Sequence, residues 1–187
     1  MKDLLSKLTG EQALDVLQRL EARKGAVADA VLAEAKGVLA VVDVEEIANE
    51  GFERLDMIDV QDCWDRAGRH RDGYTGPEEA AVQLLEEELQ PFVDQVERYR
   101  SLGMDKQEQE YCMGVILGTY RYDRESKSEF KDWCADIPIE CAGDMLDEWR
   151  KVNRDDAATT AMDAFIRERC PGWAKHLIRT DCPYATG

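Results

Sequence analysis

The sequence lacks the patterns of a β protein. Aromatic residues make up only 7% of its 187 residues, β-branched runs are scarce, and alternating apolar and polar segments are hard to find. Half-buried strands need that alternation, because successive side chains of a strand point to opposite faces. The apolar residues, 44% of the chain, recur at helical spacing instead. We therefore expect a folded all-α protein.

Long apolar runs are also missing. No stretch approaches the roughly 18 consecutive apolar residues of a transmembrane helix. The start, Met1 to Leu8, has neither an uninterrupted apolar core nor a small-residue cleavage site, so no secretory signal is expected. The six cysteines are scattered without a C-x-x-C motif, as in reduced chains. These features predict a cytoplasmic protein.

Positive charge is in short supply. The chain has 24 Lys and Arg against 40 Asp and Glu, a formal net charge of −16. Nucleic acids and anionic membranes demand cationic patches, so neither is an expected direct partner. The acidic balance favours a basic protein partner or simply a well-solvated surface. An acidic mimic of nucleic acid and a salt-adapted surface remain as alternatives.

Motifs for catalysis are absent as well. There is no Walker loop and no dinucleotide fingerprint. Neither of the two histidines follows a glutamate by three residues, as the di-iron bundle motif requires. His70-Arg71-Asp72 imitates a kinase catalytic loop, but Pro77 stands where that motif requires Asn. We therefore predict no catalytic residue and no cofactor, and we do not expect an enzyme.

Helical periodicity is what the sequence has in abundance. It predicts about eight helices in one all-α domain spanning 1–187, as an α-α superhelix or an irregular bundle. Three antiparallel hairpins are expected, at about 11–41, 76–122 and 137–169. The clearest is 78–122, whose predicted inward faces are Ala81, Leu85, Leu89, Phe92, Val96 and Tyr99, then Tyr111, Cys112, Val115, Ile116 and Tyr120.

Within the 78–122 hairpin, glycine and proline mark special positions. Pro91 removes a backbone donor inside the first helix and should kink it. Gly103 should end that helix, because glycine accepts the left-handed conformation. Gly114 and Gly118 lie four residues apart on the second helix, where they would let a neighbouring helix approach closely. The alternative is that this helix sits in the groove of a partner.

The N-terminal hairpin and the helix caps carry further expectations. Asp43, Asp59, Asp136 and Asn153 should each cap the start of a helix, and Gly68–Gly76 should be a loop. The inward residues of the N-terminal hairpin are predicted to be Ala13, Leu14, Leu17 and Leu20, followed by Val27, Val31, Ala35, Val38 and Val42.

Three segments carry a family resemblance: Asp59–Asp65, Arg71–Tyr74 and Glu78–Ala81. They resemble uncharacterised bacterial helical proteins. More loosely, the chain is similar to HEAT- and TPR-like superhelices, including helical regions that accompany SWIM zinc fingers, over about residues 40–150. The chain departs from these families in lacking the 34-residue TPR pattern and the C-x-C of a SWIM finger. The resemblance implies a scaffold or adaptor role.

A basic island interrupts the acidic chain at a predicted helix end and the loop beyond it. Its members, with a neighbouring tyrosine, are candidates for binding an anion or a partner. A guanidinium group can donate two parallel hydrogen bonds to a carboxylate or phosphate. The alternative is structural: cations near a helix C-terminus complement its dipole and pair with nearby aspartates. The candidate residues are Arg66, Arg69, His70, Arg71 and Tyr74.

The C-terminal third contains residue types that bind zinc, although we expect no bound metal. Thiolate and imidazole are the usual ligands of a tetrahedral zinc site, but the spacings here are too wide for a compact knuckle. Buried free thiols are the alternative. The weak candidates are Cys134, Cys141, Cys170, His176 and Cys182.

The leading functional hypothesis is a protein–protein interaction or adaptor module. Its expected adhesive surface is the 78–122 hairpin with the loop 68–76, and its acidic field should steer a basic partner. Two exposed, adjacent tryptophans would mark an interface, since tryptophan is enriched at binding hot spots. The alternatives are a metal- or anion-binding enzyme or sensor that uses the Cys/His set or the basic island, and a nucleic-acid mimic.

Overall fold

The computed structural model describes residues 6–70 and 73–178, with the backbone but not the side chain of His70. The described part is all-α, as predicted, apart from one small hairpin of strands. The chain divides into two compact units, residues 1–42 and 43–187, and each is considered by itself. The prediction of a single domain over 1–187 stays a prediction.

Among the described residues, those of the first unit form two helices, and those of the second form all the other elements. The first two are α1 (Gly10–Glu21) and α2 (Ala26–Leu39). The others are α3 (Val44–Asp56), α4 (Val60–Arg66), β1 (Gly68–His70), β2 (Gly73–Thr75), α5 (Pro77–Ser101), α6 (Asp105–Glu125), a 3₁₀ helix (Glu129–Trp133), α7 (Ile137–Val152), α8 (Asp156–Arg169) and α9 (Ala174–Leu177).

The first unit is a helical hairpin that buries little of its apolar surface. A capping box between Thr9 and Gln12 starts α1, and Gly25 precedes α2 with a φ of 78°. Ala28 is the only buried residue described in these two helices. The prediction that Leu14 and Leu17 point inward is wrong, because they are 56% and 48% exposed.

Geometry explains that error. Helical periodicity identifies an apolar face, but two helices meet along a single line, and a wide apolar arc extends beyond it. The side chains half-buried in the hairpin are Ala13, Leu20, Val31 and Leu39. The other residues predicted to be inward are Val27, Ala35 and Val38, which are exposed, and Val42, which is half-buried.

A near-contact between the backbones of α3 and α6 organises the second unit. A Cβ atom added at Gly118 would lie 2.5 Å from the carbonyl oxygen of Ala48, and one at Gly114 would lie 2.7 Å from Cβ of Ile47. Gly51 continues the same seam, facing the Cα atom of Gly118. The prediction that the two glycines admit a neighbouring helix is confirmed, and that helix is α3.

The remaining core is built around α6, which also contacts α5, α7 and α8. All six predicted inward residues of α5 are buried. On α6, Cys112, Val115 and Ile116 are buried, while Tyr111 and Tyr120 are only partly covered. The α7 and α8 helices complete this core with Ala142, Leu146, Trp149, Met162 and Ile166.

Most of the expected helix boundaries are confirmed. Asp43 accepts hydrogen bonds from the backbone nitrogens of Glu45 and Glu46, and Asp59 accepts one from Gln61. Gly103 follows α5 with a φ of 64°. The helix runs through Pro91 without ending, and its kink stays a prediction.

Two caps differ from expectation. Asn153 does not cap α8; Asp155 does, because its side chain lies where it can accept the backbone N–H of Ala157 at 3.0 Å. Asp136 occupies the N-cap position of α7 but makes no capping hydrogen bond with its side chain. Asp and Asn are interchangeable as capping signals in a sequence, so spacing alone did not separate Asn153 from Asp155.

The segment predicted as a loop, 68–76, contains an antiparallel strand pair. Its register pairs Gly68 with Thr75, Arg69 with Tyr74, and His70 with Gly73. Gly68 and Gly73 have φ values of 131° and 147°, which residues with a Cβ rarely adopt. Three-residue strands are too short to show the alternation from which strands are predicted.

Charged side chains fasten the outer helices to α6 and to each other. Glu45 of α3 accepts hydrogen bonds from Arg121 of α6 and Arg169 of α8. Arg150 of α7 donates to Asp163 of α8 at 2.8 Å and to the carbonyl oxygen of Leu177 at 2.7 Å. Within the described ranges, no helix is both long and apolar enough to span a bilayer.

The α3–α6 seam predicts a large effect for one added methyl group. We expect Gly118→Ala to lower the free energy of unfolding by about 2–3 kcal/mol, because its Cβ would collide with backbone that cannot rotate away. Urea unfolding followed by circular dichroism measures this change.

Gly143→Ala in α7 is the matched control. Its added Cβ would meet only Cδ2 of Leu177, at an ordinary 3.7 Å. That variant should gain roughly 0.5–1 kcal/mol from improved helix propensity. Equal stabilities for the two variants would contradict the close backbone approach.

Candidate binding groove

The basic island does not form one cluster. Nη1 and Nη2 of Arg66 donate to Oε1 and Oε2 of Glu87 at 2.7 and 2.9 Å. This pairing raises the pKa of Arg66 and lowers that of the Glu87 carboxyl. Arg66 therefore ties α4 to α5, which favours the structural interpretation for this residue.

The other members of the island belong to the strand pair. Arg69 and Tyr74 are directly opposed, so their side chains share one face of the hairpin. Tyr74 is 71% exposed. The side chain of His70 and all of Arg71 lie outside the described residues. The structure therefore brings together Arg69 and Tyr74, and it assigns Arg66 to a separate contact.

The Cys/His set is dispersed. Cys134 is buried and its thiol donates to the carbonyl oxygen of Phe130 at 3.6 Å, whereas Cys170 lies in the core among α7, α8 and α9 residues. Cys141 and His176 line two different concavities. Cys182 lies outside the described part of the chain. Across 6–70 and 73–178, no three His, Cys, Asp or Glu side chains are grouped as metal ligands.

Burial also suppresses the reactivity of these thiols. Loss of hydration raises the pKa of Cys134 to about 11 and the pKa values of Cys141 and Cys170 to about 12. At neutral pH all three are protonated. Nucleophilic attack needs the thiolate, so these environments disfavour a cysteine nucleophile.

A concave groove lies where the first turns of α5 and α7 meet the 3₁₀ helix. Its volume is about 810 Å³. The apolar part of its lining comes from Val82, Trp133, Cys134, Ala135 and Ile137. The polar part is made entirely of carboxylates: Glu78, Glu79, Glu129, Asp132 and Asp136.

Local structure explains why these carboxylates collect there. Glu78 and Glu79 occupy the first turn of α5, and Asp136 stands at the N-cap of α7, where helix dipoles favour negative charge. Glu129 and Asp132 project from the 3₁₀ helix between them. Within the described chain, none of the five has a salt-bridge partner, and neither Lys nor Arg lines the groove. No Lys or Arg among the described residues therefore pairs with this negative charge.

Two tryptophans meet at the edge of the groove. The rings of Trp64 and Trp133 pack edge to face with their centroids 5.1 Å apart. Trp64 is 48% exposed and Trp133 is partly buried, so this pair comes closest to the exposed, adjacent pair anticipated from sequence. The other two tryptophans, Trp149 and Trp173, are buried.

A second, smaller concavity runs between α5 and α7. Its volume is about 370 Å³, and Leu89, Val93, Val96 and Met145 form its apolar part. Arg100 reaches this concavity but pairs with the buried carboxylate of Glu108 at 2.9 Å. The first groove is thus the larger one and lacks a cation.

Sequence reasoning missed this groove because its halves are about fifty residues apart. Within residues 126–136 the sequence predicts only a weak zinc ligand, Cys134, and a helix cap, Asp136. The density of acidic residues beside Trp133 was the one available signal. The expected adhesive surface, hairpin 78–122, does supply Glu78, Glu79 and Val82.

The fold and the groove define this protein as an all-α protein with an acidic, tryptophan-edged concavity. No family model matches the chain, and neither a curated protein nor a solved structure does. The resemblance to HEAT- and TPR-like helical proteins stays a prediction.

Thiol labelling tests the burial that separates the cysteines from metal and nucleophilic chemistry. We expect iodoacetamide at pH 8 to leave Cys112, Cys134 and Cys170 unmodified in the native protein, because burial excludes the reagent and keeps the thiols protonated. Mass spectrometry of tryptic peptides measures the modification. The same treatment in urea is the control and should label all three. Rapid native labelling at Cys134 or Cys170 would contradict the buried-thiol assignment.

Proposed function

We propose that this protein is a non-enzymatic interaction module that binds a lysine- or arginine-rich segment of another protein in the acidic groove. The observation that carries this proposal is the groove itself: five carboxylates without salt-bridge partners in the described chain surround a concavity edged by Trp133. Glu87, on the same helix as Glu78 and Glu79, is instead paired with Arg66.

The lining matches the chemistry of basic side chains in three respects. Ammonium and guanidinium groups donate charge-assisted hydrogen bonds to carboxylates. The indole rings of Trp133 and Trp64 offer apolar contact, and an uncovered indole face attracts a cation. Val82 and Ile137 can pack against the methylene stems of Lys or Arg, whose charged heads then reach the rim.

Size and charge limit the kind of partner. A concavity of about 810 Å³ holds a few side chains rather than a folded surface, so the ligand is an exposed segment. The net charge of −16 should raise the rate at which cationic segments encounter the protein. The groove then provides the specific contacts.

The nucleic-acid mimic is the alternative that makes the most similar prediction. A mimic would bind basic proteins through negative charge spread over its surface, with no special role for one groove or one indole ring. The two hypotheses therefore differ in whether affinity depends on the position of the carboxylates or only on their number.

Fluorescence anisotropy with a labelled octalysine peptide tests this difference. We expect the variant Glu78→Gln, Glu79→Gln, Asp132→Asn to weaken binding at least tenfold at about 0.1 M salt, because it removes three of the five groove carboxylates. Trp133→Leu should weaken binding about three- to tenfold while keeping the net charge.

The control is Glu53→Gln, Glu125→Gln, Glu168→Gln. It removes the same three charges from exposed positions outside the groove. We expect it to change affinity less than threefold. Equal losses in the two triple variants, with no effect of Trp133→Leu, would overturn the proposal in favour of diffuse attraction.

A further inference from the structure

The N-terminal hairpin exposes an unusual amount of apolar surface. Its exposed large side chains include Val38 at 78% and Val41 at 82%. The remaining members are Leu14, Val16, Leu17, Val27 and Leu32. Seven such residues within one short segment exceed the scattered single exposures that are normal on a protein surface.

Two helices of this length cannot cover these residues by themselves. The α1 and α2 helices have 12 and 14 residues, and they contact each other along one line only. A helix buries its apolar stripe by packing on further helices, and a bundle of four is a common arrangement that encloses a core. The hairpin thus supplies half of such a bundle.

The distribution of charge along the chain indicates which molecule can supply the other two helices of the bundle. Residues 1–42 contain six basic and six acidic residues, so this unit is neutral, while residues 43–187 carry the entire net charge of −16. A basic partner would find no net attraction at the hairpin. A second copy of the chain would meet no net repulsion there, whereas the rest of each copy repels the other.

A membrane surface is the less suitable occupant. Interfacial helices combine an apolar face with a polar face rich in Lys and Arg, which attracts anionic lipid. The polar face of α1 instead carries three acidic residues, Glu11, Asp15 and Glu21, against one basic residue, Arg19, which pairs with Asp15 at 2.8 Å. A polar face with net negative charge gives anionic lipid no electrostatic reason to bind.

We propose that the hairpin is a homodimerisation element, in which two copies of residues 10–39 form a four-helix bundle across a two-fold axis. Leu14 and Leu17 of α1 and Val27 and Val38 of α2 enter its core. In such an isologous interface each copy presents the same surface, and the four basic and five acidic residues of 10–39 can pair around its rim. This proposal is independent of the ligand in the acidic groove.

Sedimentation equilibrium of the full chain tests the assembly directly. We expect the mass to rise with concentration from that of one 21.2 kDa chain to twice that value over about 1–200 µM. The dimer should persist when salt is raised to about 0.5 M, because apolar burial is not screened. A monomer over the whole range would overturn the proposal.

Charge placed in the core of the bundle should dissociate it. We expect Leu14→Glu with Leu17→Glu to raise the dimer dissociation constant about a hundredfold or more, since a buried carboxylate without a partner is costly. Val38→Glu should act in the same direction and should leave the hairpin folded, because Val38 is mostly exposed in the single chain. Circular dichroism checks that helix content is retained.

The matched control is Met57→Glu with Val152→Glu. These exposed apolar residues lie in the second unit, and the variant adds the same two negative charges. It should leave the dissociation constant within about threefold of the unmodified chain. Comparable weakening by the control, or no weakening by either hairpin variant, would overturn the assignment of the interface.

Discussion

The close approach of α3 and α6 is the constraint on which the second unit depends. Gly114 and Gly118 place no side chain of α6 between these helices, so the α6 backbone rests directly against Ile47 and Ala48. Backbones at this distance gain many dispersion contacts and lose them steeply on separation. The α6 helix also contacts α5, α7 and α8. Its placement against α3 therefore determines where these three helices pack.

The shape of the acidic groove depends on the packing of helices against α6. The two helices whose first turns form its walls, α5 and α7, both pack against α6. The 3₁₀ helix between them is anchored by Phe130, and Cys134 directly after it is also buried. Buried side chains thus anchor the backbone of the 3₁₀ helix from which Glu129 and Asp132 project.

Two groups of acidic residues in the second unit thus differ in their surroundings. Glu45, Glu87, Glu108 and Asp163 pair with arginines of other elements or of a neighbouring turn, and they fasten helices together. The groove carboxylates have no such partner among the described residues and gather at helix starts, where backbone dipoles lower the cost of concentrating negative charge. The first unit has no net charge. The net negative charge thus lies in the second unit, whereas most of the exposed large apolar side chains lie in the first.

The sequence by itself determined the helices, since apolar spacing, Asp43, Asp59 and Gly103 act within a few residues of the positions they define. It also marked Gly114 and Gly118 as a place of close approach, without identifying α3 as the neighbour. Only the tertiary structure decided that Leu14 and Leu17 stay exposed, that Arg66 pairs with Glu87, and that residues 78–82 meet 129–137 in one groove. The spacing of apolar residues shows which side of a helix is apolar. Which surfaces meet depends on packing between segments that are distant in sequence, and no short sequence pattern specifies that packing.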